Sequence, residues 1–275
     1  VKQVSRVTNI KESKEKKEII LSFKDVQVKK GPWKNQKANL DIYHSEILGI
    51  TGLAGQGQEN FSYGLMGLYP MEGKVTFQDE LLNVGNVHEL IKKGIYILPD
   101  ERKEMGLLLN SEIWENIVLN NSEQQKKFLK YPRLGTFSFL DNKKIKNHVQ
   151  DMIKKLNIQA QSINQKVGQL SGGNQQKVCI ARAITVNPSV LFVGEPTRGI
   201  DIFSKEIILK YILELKGKGI TVIVSSSELS ELKRIADRIA IMYEGKVFKI
   251  LDPEASDVEY GLGFVGKEEV LCNER

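Results

Sequence analysis

Short apolar runs recur along the chain and are separated by stretches with a helical period. Several of these runs are continuous rather than alternating, which is typical of strands buried on both faces of a sheet. Because strands and helices alternate in this way, the sequence predicts an α/β fold with a mostly parallel sheet covered by helices. The predicted strands are 19-IILSFKDVQV-28, 46-EILGIT-51, 73-GKVTF-77, 94-GIYIL-98, 189-SVLFV-193, 220-ITVIV-224, 238-RIAIMY-243 and 246-KVFKI-250.

Helical periodicity is clearest in 141-DNKKIKNHVQDMIKKLNI-158, where five apolar side chains share one face and Asp141 can cap the start. Those five residues are Ile145, Val149, Met152, Ile153 and Leu156. Three more helices are predicted to begin after Gly57, after Ser171 and around Ser204. No strand pattern occurs from about residue 113 to residue 169, so we expect an inserted helical subdomain there.

The composition fits a folded protein with a substantial core. The 275 residues could form one large α/β domain or two small ones, and 41% of them are hydrophobic. No apolar run approaches the roughly 18 residues that cross a bilayer, and no signal peptide opens the sequence. Cys179 and Cys272 lack metal-ligand spacing, so we expect a reduced intracellular compartment.

The net charge of +6 is unevenly distributed. Residues 1–18 carry six Lys or Arg and three Glu without an apolar period, and they are predicted to form a linker. The rest of the chain has no basic stripe interleaved with aromatic residues. A nucleic-acid partner is therefore not expected, because it would require a clustered positive face.

A predicted strand runs into the glycine-rich loop 52-GLAGQGQEN-60, whose glycines are Gly52, Gly55 and Gly57. This is the spacing of a phosphate-cradling loop, in which the backbone aims N–H groups at an anion over a helix amino terminus. Such a loop also needs a Lys after the last glycine and then a Ser or Thr hydroxyl for Mg²⁺. Gln58 and Glu59 stand there instead, followed by Asn60. A glycine turn that never contacts nucleotide is the alternative interpretation.

The two replacements change the charge beside a bound polyphosphate. Gln58 lacks the positive charge of Lys, and Glu59 adds a negative charge. One pair of unit charges about 4 Å apart is worth about 4 kcal/mol at an effective dielectric of about 20. Glu59 is also expected in the first turn of the next helix, where the dipole favours a carboxylate and lets it take the place of a phosphate. We therefore expect this loop to bind Mg-ATP only weakly.

A second pair of motifs is 170-LSGGNQQKVCIARA-183 followed by 191-LFVGEPTRGID-201. They resemble the nucleotide-binding domain of ATP-binding cassette (ABC) transporters, and the resemblance covers about residues 20–250. It implies a P-loop NTPase-like fold with a mostly parallel sheet core, an antiparallel β subdomain and an inserted helical subdomain. The implied domains are 19–252 for the nucleotide-binding domain, about 113–169 for its helical subdomain and 253–275 for a C-terminal tail.

Four sequence segments are similar to the importer branch for sugars of the ribose, galactose and xylose type: GNQQK, EPTRGID, SSSELSEL and DRIAIMYEGK. GLAGQGQ is similar to a neighbouring branch that imports nucleosides. In the sugar branch, two cassettes are fused in one polypeptide, and the second commonly has a decayed phosphate loop. The resemblance therefore implies that this chain is a second cassette and that residues 1–18 link it to a first one.

The resemblance also assigns roles to single residues. Gly194 stands where the family has an Asp that supports Mg²⁺, and Ser227 stands at the position of the switch histidine. Glu195 matches the general base, with an idle interface acid as the alternative. Asp100 lies near the usual Q-loop glutamine. Trp33 is a candidate for stacking on adenine, with packing as the alternative.

In ABC dimers, each ATP lies between the phosphate loop of one cassette and the signature of the other. The residues of this chain that would serve nucleotide held by a partner are Ser171, Gly172, Gly173, Gln175 and Asp201. The serine hydroxyl, the glycine N–H groups and the helix amino terminus would reach its γ-phosphate. Phosphoryl transfer depends mostly on metal positioning and electrostatics, so we expect little or no hydrolysis by this chain alone. We assign no metal ligand.

The sequence therefore predicts the accessory ATP-binding subunit of a monosaccharide importer, located peripherally at the cytoplasmic face of the cell membrane. Its cofactors would be ATP, weakly in its own site, and Mg²⁺ through the partner's site. Its partners would be a first cassette, a transmembrane permease and, indirectly, a solute-binding protein. Three alternatives stay open: half of a nucleoside importer, a non-transport ABC protein, and a regulatory module that does not hydrolyse nucleotide.

Overall fold

The computed structural model describes residues 18–33, 36–123, 127–131 and 139–268. They divide into two compact units. The first unit holds the described residues up to Leu90 and from Ile212 onward, and the second unit is Ile91–Tyr211. The predicted linker 1–18, except for its last residue, and the end of the predicted tail lie outside the described residues.

Within the described residues the chain forms ten strands and eight α-helices. The strands are β1 (Ile19–Val28), β2 (Ala38–Tyr43), β3 (Ile47–Thr51), β4 (Met71–Phe77), β5 (Glu80–Leu81), β6 (Ile95–Leu98), β7 (Val190–Gly194), β8 (Thr221–Ser225), β9 (Arg238–Tyr243) and β10 (Lys246–Leu251). The helices are α1 (Asn60–Leu65), α2 (Val87–Lys93), α3 (Ile113–Glu123), α4 (Asn142–Lys155), α5 (Gly172–Val186), α6 (Ile202–Gly217), α7 (Leu229–Ile235) and α8 (Asp257–Phe264). A π-helical turn occupies Arg102–Gly106, and a 3₁₀ turn occupies Val167–Gln169.

The first unit contains an antiparallel sheet and a set of parallel strands. The antiparallel sheet has the order β2-β1-β4-β5, and its central Phe23 pairs with Leu40 on one side and Val75 on the other. β3 is a parallel neighbour of both β8 and β9, and β10 pairs antiparallel with β9. All five residues of β3 are buried, as its continuous apolar run predicts. The combination of parallel and antiparallel strands confirms the predicted fold class.

The second unit is organised around α5. Most side chains of this helix are buried, and it packs against α3 and β6, while α3 also packs against α4. β6 and β7 form a parallel pair with Leu98 opposite Val193. The described part of residues 113–169 contains α3, α4 and the 3₁₀ turn but no strand. The proposed limits of the helical subdomain stay predictions.

Helix α4 begins where its cap predicts. The Asp141 side chain accepts a hydrogen bond from the backbone N–H of Lys144 at 3.0 Å, which satisfies one free donor of the first turn. Of the five apolar residues on the predicted face, Ile153 is half-buried and the other four are buried. The predicted helix is therefore confirmed together with its inward face.

Besides β5, α2 and α7, which no pattern predicted, two elements differ from the sequence predictions. β2 was not predicted, although Ala38, Leu40 and Ile42 are buried in alternation along it. α8 lies in the segment predicted as a tail, and its capping box is formed by Ser256 and Glu259. Tyr260 in α8 is buried, which ties the helix to the first unit. Among the described helices, none is both long and apolar enough to span a membrane.

The free energy of unfolding is expected to depend on pH through His148 on α4. His148 Nε2 lies 2.8 Å from Thr185 Oγ1, and its ring is tilted against that of Phe128. Burial, together with the positive charge of Lys127, lowers the pKa of His148 from 6.5 to about 4. The unfolded chain therefore binds a proton between these pH values and the folded chain does not. The contribution of His148 to the free energy of unfolding is thus fully present above about pH 6.5 and is lost as the pH falls to about 4.

We expect wild-type protein to lose about 1–2 kcal/mol more stability between pH 7.5 and pH 4.5 than His148→Gln. A shift of this size would be worth about 3 kcal/mol, reduced here because the ring is only about half-buried and the solvent screens its charge. Urea unfolding at both pH values measures the difference. Equal pH dependence in the two proteins would contradict the prediction.

Candidate functional site

The predicted site residues fall into two groups, one in each unit. The first unit contains Trp33, Gly52, Gly55, Gly57, Gln58, Glu59, Asn60 and Ser227. The second unit contains Asp100, Ser171, Gly172, Gly173, Gln175, Gly194, Glu195 and Asp201.

The glycine loop joins β3 to α1, as predicted. Gly55 and Gly57 have φ angles of +80° and +95°, a left-handed backbone that glycine adopts without the clash of a Cβ. The backbone N–H of Asn60 donates to Gly57 O at 3.0 Å, and the Asn60 side chain is buried at the start of the helix. The loop therefore has the strand–loop–helix order predicted for a phosphate loop, although α1 is only six residues long. Its binding of phosphate stays a prediction.

The side chain of Gln58 folds back onto this loop. Its Nε2 donates to Gly52 O at 2.7 Å and to Leu53 O at 2.8 Å. The amide of Gln58 therefore donates its hydrogen bonds to carbonyl groups of the loop itself. It is also neutral, so it offers an arriving phosphate no charge.

The position of Glu59 corrects one expectation. It is the residue before α1 rather than part of the first turn, and its side chain makes no capping hydrogen bond. Its carboxylate instead forms an ion pair with Lys30, and both side chains are about a quarter exposed. The Lys30 ammonium also lies 4.4 Å from the centre of the Tyr63 ring. A partly desolvated ammonium within reach competes better for the carboxylate than the weak field of a short helix does.

The neighbours of the loop include Trp33. Its indole Nε1 donates to Gly55 O at 3.1 Å, and a Cβ at Gly245 would lie 2.6 Å from Trp33 Cβ. Gln56 O accepts the N–H of Gly245 at 3.0 Å. These contacts show Trp33 packed between the loop and the β9–β10 turn. Its stacking on adenine stays a prediction.

Ser227 lies just beyond the carboxyl end of β8. The preceding Ser226 donates its N–H to Ile50 O in β3 at 3.0 Å, and Ser227 itself is exposed. Since β3 and β8 are parallel neighbours, Ser227 follows a strand end adjacent to the one that feeds the glycine loop. A serine at this place has no imidazole, and its role stays a prediction.

In the second unit, Gly194 at the end of β7 is packed against the backbone of Asp100. A Cβ at Gly194 would lie 2.7 Å from Asp100 N and 3.0 Å from Asp100 Cα. No larger residue fits there unless the backbone shifts. The next residue, Glu195, has a φ of +40°, a left-handed conformation that costs on the order of 1–3 kcal/mol in a residue with a side chain.

Two positions at which the family supports Mg²⁺ offer no free side-chain oxygen in this chain. Among the described residues there is no group of three or more His, Cys, Asp or Glu side chains that could hold a metal. Gly194 supplies no side-chain oxygen, and the carboxylate of Glu59 is bound to Lys30. Mg²⁺ at phosphate sites is usually held by one or two protein oxygens, waters and the phosphates themselves, and weak Mg²⁺ binding by this chain stays a prediction.

The signature segment has a well-formed helix start. Ser171 precedes α5, is exposed, and its Oγ accepts from Asn174 Nδ2 at 2.9 Å. A Cβ at Gly173 would lie 2.8 Å from Ser204 Oγ and 3.0 Å from Asp201 Oδ2. The structure therefore brings the predicted signature residues and Asp201 together.

Asp201 is held at the start of α6. Its Oδ1 accepts the N–H of Ser204 at 2.9 Å, and its Oδ2 accepts the Ser204 hydroxyl at 2.8 Å. The bond from the backbone N–H has the largest effect and the bond from the hydroxyl the next, and both lower the pKa of the Asp201 carboxyl below its ordinary value of 3.8. The carboxylate is therefore ionised and fixed in direction at neutral pH.

Gln175 faces the interior rather than the solvent. It is 5% exposed, and its Nε2 donates to Leu170 O at 3.1 Å. Its Oε1 is buried and has no hydrogen-bond partner among the described residues. Gln175 shapes the turn that precedes α5, and its contact with a partner's nucleotide stays a prediction.

The sequence did not single out Lys30, Arg102 or Arg182. Lys30 lies 29 residues before Glu59, and Arg102 lies 96 residues before its partner Arg198. No spacing rule links residues so far apart. A weak signal existed for Arg182, since a charge within the apolar stretch of a buried helix usually has specific partners.

Comparison with known proteins identifies the family. The family model described as ABC transporter matches residues 35–198. The chain belongs to the ABC transporter family.

Two curated relatives are import proteins, and the chain spans about half the length of each. It is 38% identical over 235 residues to the ribose import ATP-binding protein RbsA of Caldanaerobacter subterraneus subsp. tengcongensis, covering 85% of this chain and 46% of the relative. It is 30% identical over 269 residues to the nucleoside import ATP-binding protein NupA of Lactococcus lactis subsp. cremoris, covering 96% and 52%.

Solved structures share the fold. An ATP-binding cassette of an ABC transporter in its ADP conformation superposes with a TM-score of 0.66 at 21% identity, covering 90% of this chain and 95% of that one. A dimeric post-hydrolysis cassette bound to ADP and phosphate gives 0.67 at 22% identity, covering 86% and 100%. At such identities the likeness establishes the ATP-binding cassette fold alone.

Proposed function

We propose that this chain is the accessory cassette of an ABC importer and supplies its signature to nucleotide held by a first cassette. One contrast carries the proposal. Ser171 and Asp201 are exposed at well-capped helix starts, whereas Gln58, Glu59 and Gly194 remove the charged grip on the chain's own nucleotide. A span of about half the relatives' length also fits one cassette of a two-cassette protein.

The chain's own residues act on the partner's nucleotide by binding and orientation. α5 is 15 residues long, so its amino terminus carries a substantial positive end of the helix dipole. The Ser171 hydroxyl and the N–H groups of Gly172 and Gly173 would bind the terminal phosphate and stabilise charge that develops on it. Asp201 would lie at the same interface between the two cassettes. ATP and Mg²⁺ are then held chiefly by the partner, which supplies the metal's chemistry.

The imported solute is proposed to be a monosaccharide. Relatives named for ribose or for ribose, galactose and methyl galactoside are 34–38% identical to this chain. A nucleoside is the second candidate, because the nucleoside relative matches 96% of the chain. The other proposed partners are a transmembrane permease and, indirectly, a solute-binding protein, with the cassette at the cytoplasmic face of the membrane. Competition of uptake by ribose and by a nucleoside separates the two solutes.

We expect Ser171→Arg to lower ATPase activity and uptake at least tenfold when this chain is joined to an intact first cassette and its permease. The arginine side chain would fill the space at the helix start that a phosphate must reach. Turnover in the two-cassette protein and solute uptake in proteoliposomes measure the effect.

Ser162→Arg is the matched control, since Ser162 is an exposed serine in the same unit. It should leave both activities near the wild-type level. Unchanged turnover and uptake in Ser171→Arg would count decisively against the proposed function.

A further inference from the structure

The π-helical turn Arg102–Gly106 packs along α5, from its first residue to Arg182. At one end, Gly106 O accepts from Arg182 Nη1 at 2.7 Å. At the other end, a Cβ at Gly172 would lie 2.9 Å from Arg102 Nη2. The turn therefore places a guanidinium directly against the start of the signature helix.

Arg102 also reaches the loop that follows β7. Its Nη1 donates to Arg198 O at 3.1 Å, and Gly199 O lies 3.5 Å from the same Cβ position at Gly172. Three segments therefore meet at this guanidinium: the π-helical turn, the start of α5 and the loop 195–201. The absence of a side chain at Gly172 leaves the space that the guanidinium occupies.

The bonding of Arg102 is unusual for a guanidinium. Among the described residues, the guanidinium makes one hydrogen bond, to the carbonyl of Arg198, and no carboxylate pairs with it. Its Nε is buried without a hydrogen-bond partner. Arginine normally uses its fork on carboxylates or phosphates, and an unmet buried donor is costly. The contact with the loop is thus the specific interaction that this side chain makes.

Side chains outside the exposed half of the loop hold it on both sides of Gly199. Arg102 holds it at Arg198, and Ser204 holds its end at Asp201 through two hydrogen bonds. Thr197, earlier in the loop, is fully buried, so removal of the Arg102 contact loosens chiefly the exposed backbone at Arg198 and Gly199. The backbone around Gly199 is then free to move away from Gly172.

We propose that Arg102 is a positioning residue that fixes the loop 195–201 against the signature helix for the reaction at the partner's nucleotide. This inference rests on the proposed function of the signature. Because Arg102 acts through the loop and the partner's own phosphate loop binds the nucleotide, loss of Arg102 affects turnover rather than nucleotide affinity.

The test compares Arg102→Met and Arg102→Lys in the two-cassette protein, with Lys103→Met as the control. Lys103 is an exposed cation of the same turn. We expect Arg102→Met to lower kcat for ATP hydrolysis about fivefold with KM changed less than twofold. Lysine can donate to the same carbonyl, so Arg102→Lys should recover at least half of the loss.

A second measurement reads the loop directly in the chain alone. Hydrogen exchange of the backbone amides at 198–201 should become at least fivefold faster in Arg102→Met, while amides in α4 keep their wild-type rates. Unchanged exchange in this loop overturns the inference, and so does an unchanged kcat or a rise in KM with kcat intact.

The two proposals fail in distinguishable ways. If Ser171→Arg keeps wild-type ATP turnover and uptake, the proposed function is wrong. The exchange experiment then still decides whether Arg102 holds the loop. If Ser171→Arg is inactive but Arg102→Met has wild-type kcat and loop exchange, only the positioning role of Arg102 is wrong.

Discussion

Replacing Gln58 by Lys and Glu59 by Ser together is expected to tighten ATP binding by the isolated chain about 30-fold. The double exchange adds two units of positive charge beside the glycine loop. Even a quarter of the roughly 4 kcal/mol expected for each unit pair gives about 2 kcal/mol in total, which is about 30-fold in Kd. Calorimetric titration with ATP, with and without Mg²⁺, measures the change.

Three further variants test the reason for this gain. Gln58→Met removes the amide that bonds to Gly52 O without adding charge, so it should not tighten binding. Lys30→Met leaves Glu59 without its counterion and should weaken any residual binding. Gly194→Asp added to the double variant should lower stability and add no Mg²⁺ dependence, because the Asp100 backbone occupies the space. Wild-type protein that binds Mg-ATP as tightly as the double variant would refute our interpretation of the loop.

Arg182→Ala is expected to destabilise the second unit by at least about 3 kcal/mol. Arg182 is 7% exposed, and its guanidinium donates to Asn116 O at 2.6 Å, Gly106 O at 2.7 Å and Asn116 Oδ1 at 2.7 Å. Hydrogen bonds to a charged group contribute about 1.5–3 kcal/mol each. The variant would leave three acceptors with a lost donor and open a cavity beside the fully buried Asn116.

The two tryptophans allow this loss to be assigned to one unit. Trp114 belongs to the second unit and Trp33 to the first. Urea unfolding followed by Trp114 fluorescence in a Trp33→Phe background therefore reports on the second unit. Lys154→Ala, at an exposed position of α4, should change stability by less than about 0.5 kcal/mol. A loss below about 1 kcal/mol in Arg182→Ala would contradict the expected role of the network.

Local patterns predicted the fold well because they depend on short-range physics. The run that became β9 has the predicted bounds, and Asp141 caps α4 as an N-cap residue should. β2 was missed because its alternation extends over only six residues and includes two polar side chains that also suit a loop. The glycine loop was placed correctly, since glycine spacing determines its backbone.

Long-range contacts at the candidate site could not be predicted. The sequence gives the charge of Glu59, but only the fold brings Lys30 to it. In the same way, the sequence shows a glycine at position 194, and only the packing of Asp100 shows that its side-chain space is taken. Such contacts depend on where separate segments meet, which no local pattern of residue types encodes.

The close approach at the end of β7 constrains which substitutions position 194 can accept. A side chain there would meet the Asp100 backbone, so a single change to aspartate is expected to be selected against before its carboxylate could bind anything. A carboxylate at this position therefore needs a second, compensating change near Asp100. Under the proposed function, two coordinated substitutions rather than one separate this cassette from a metal-supporting relative.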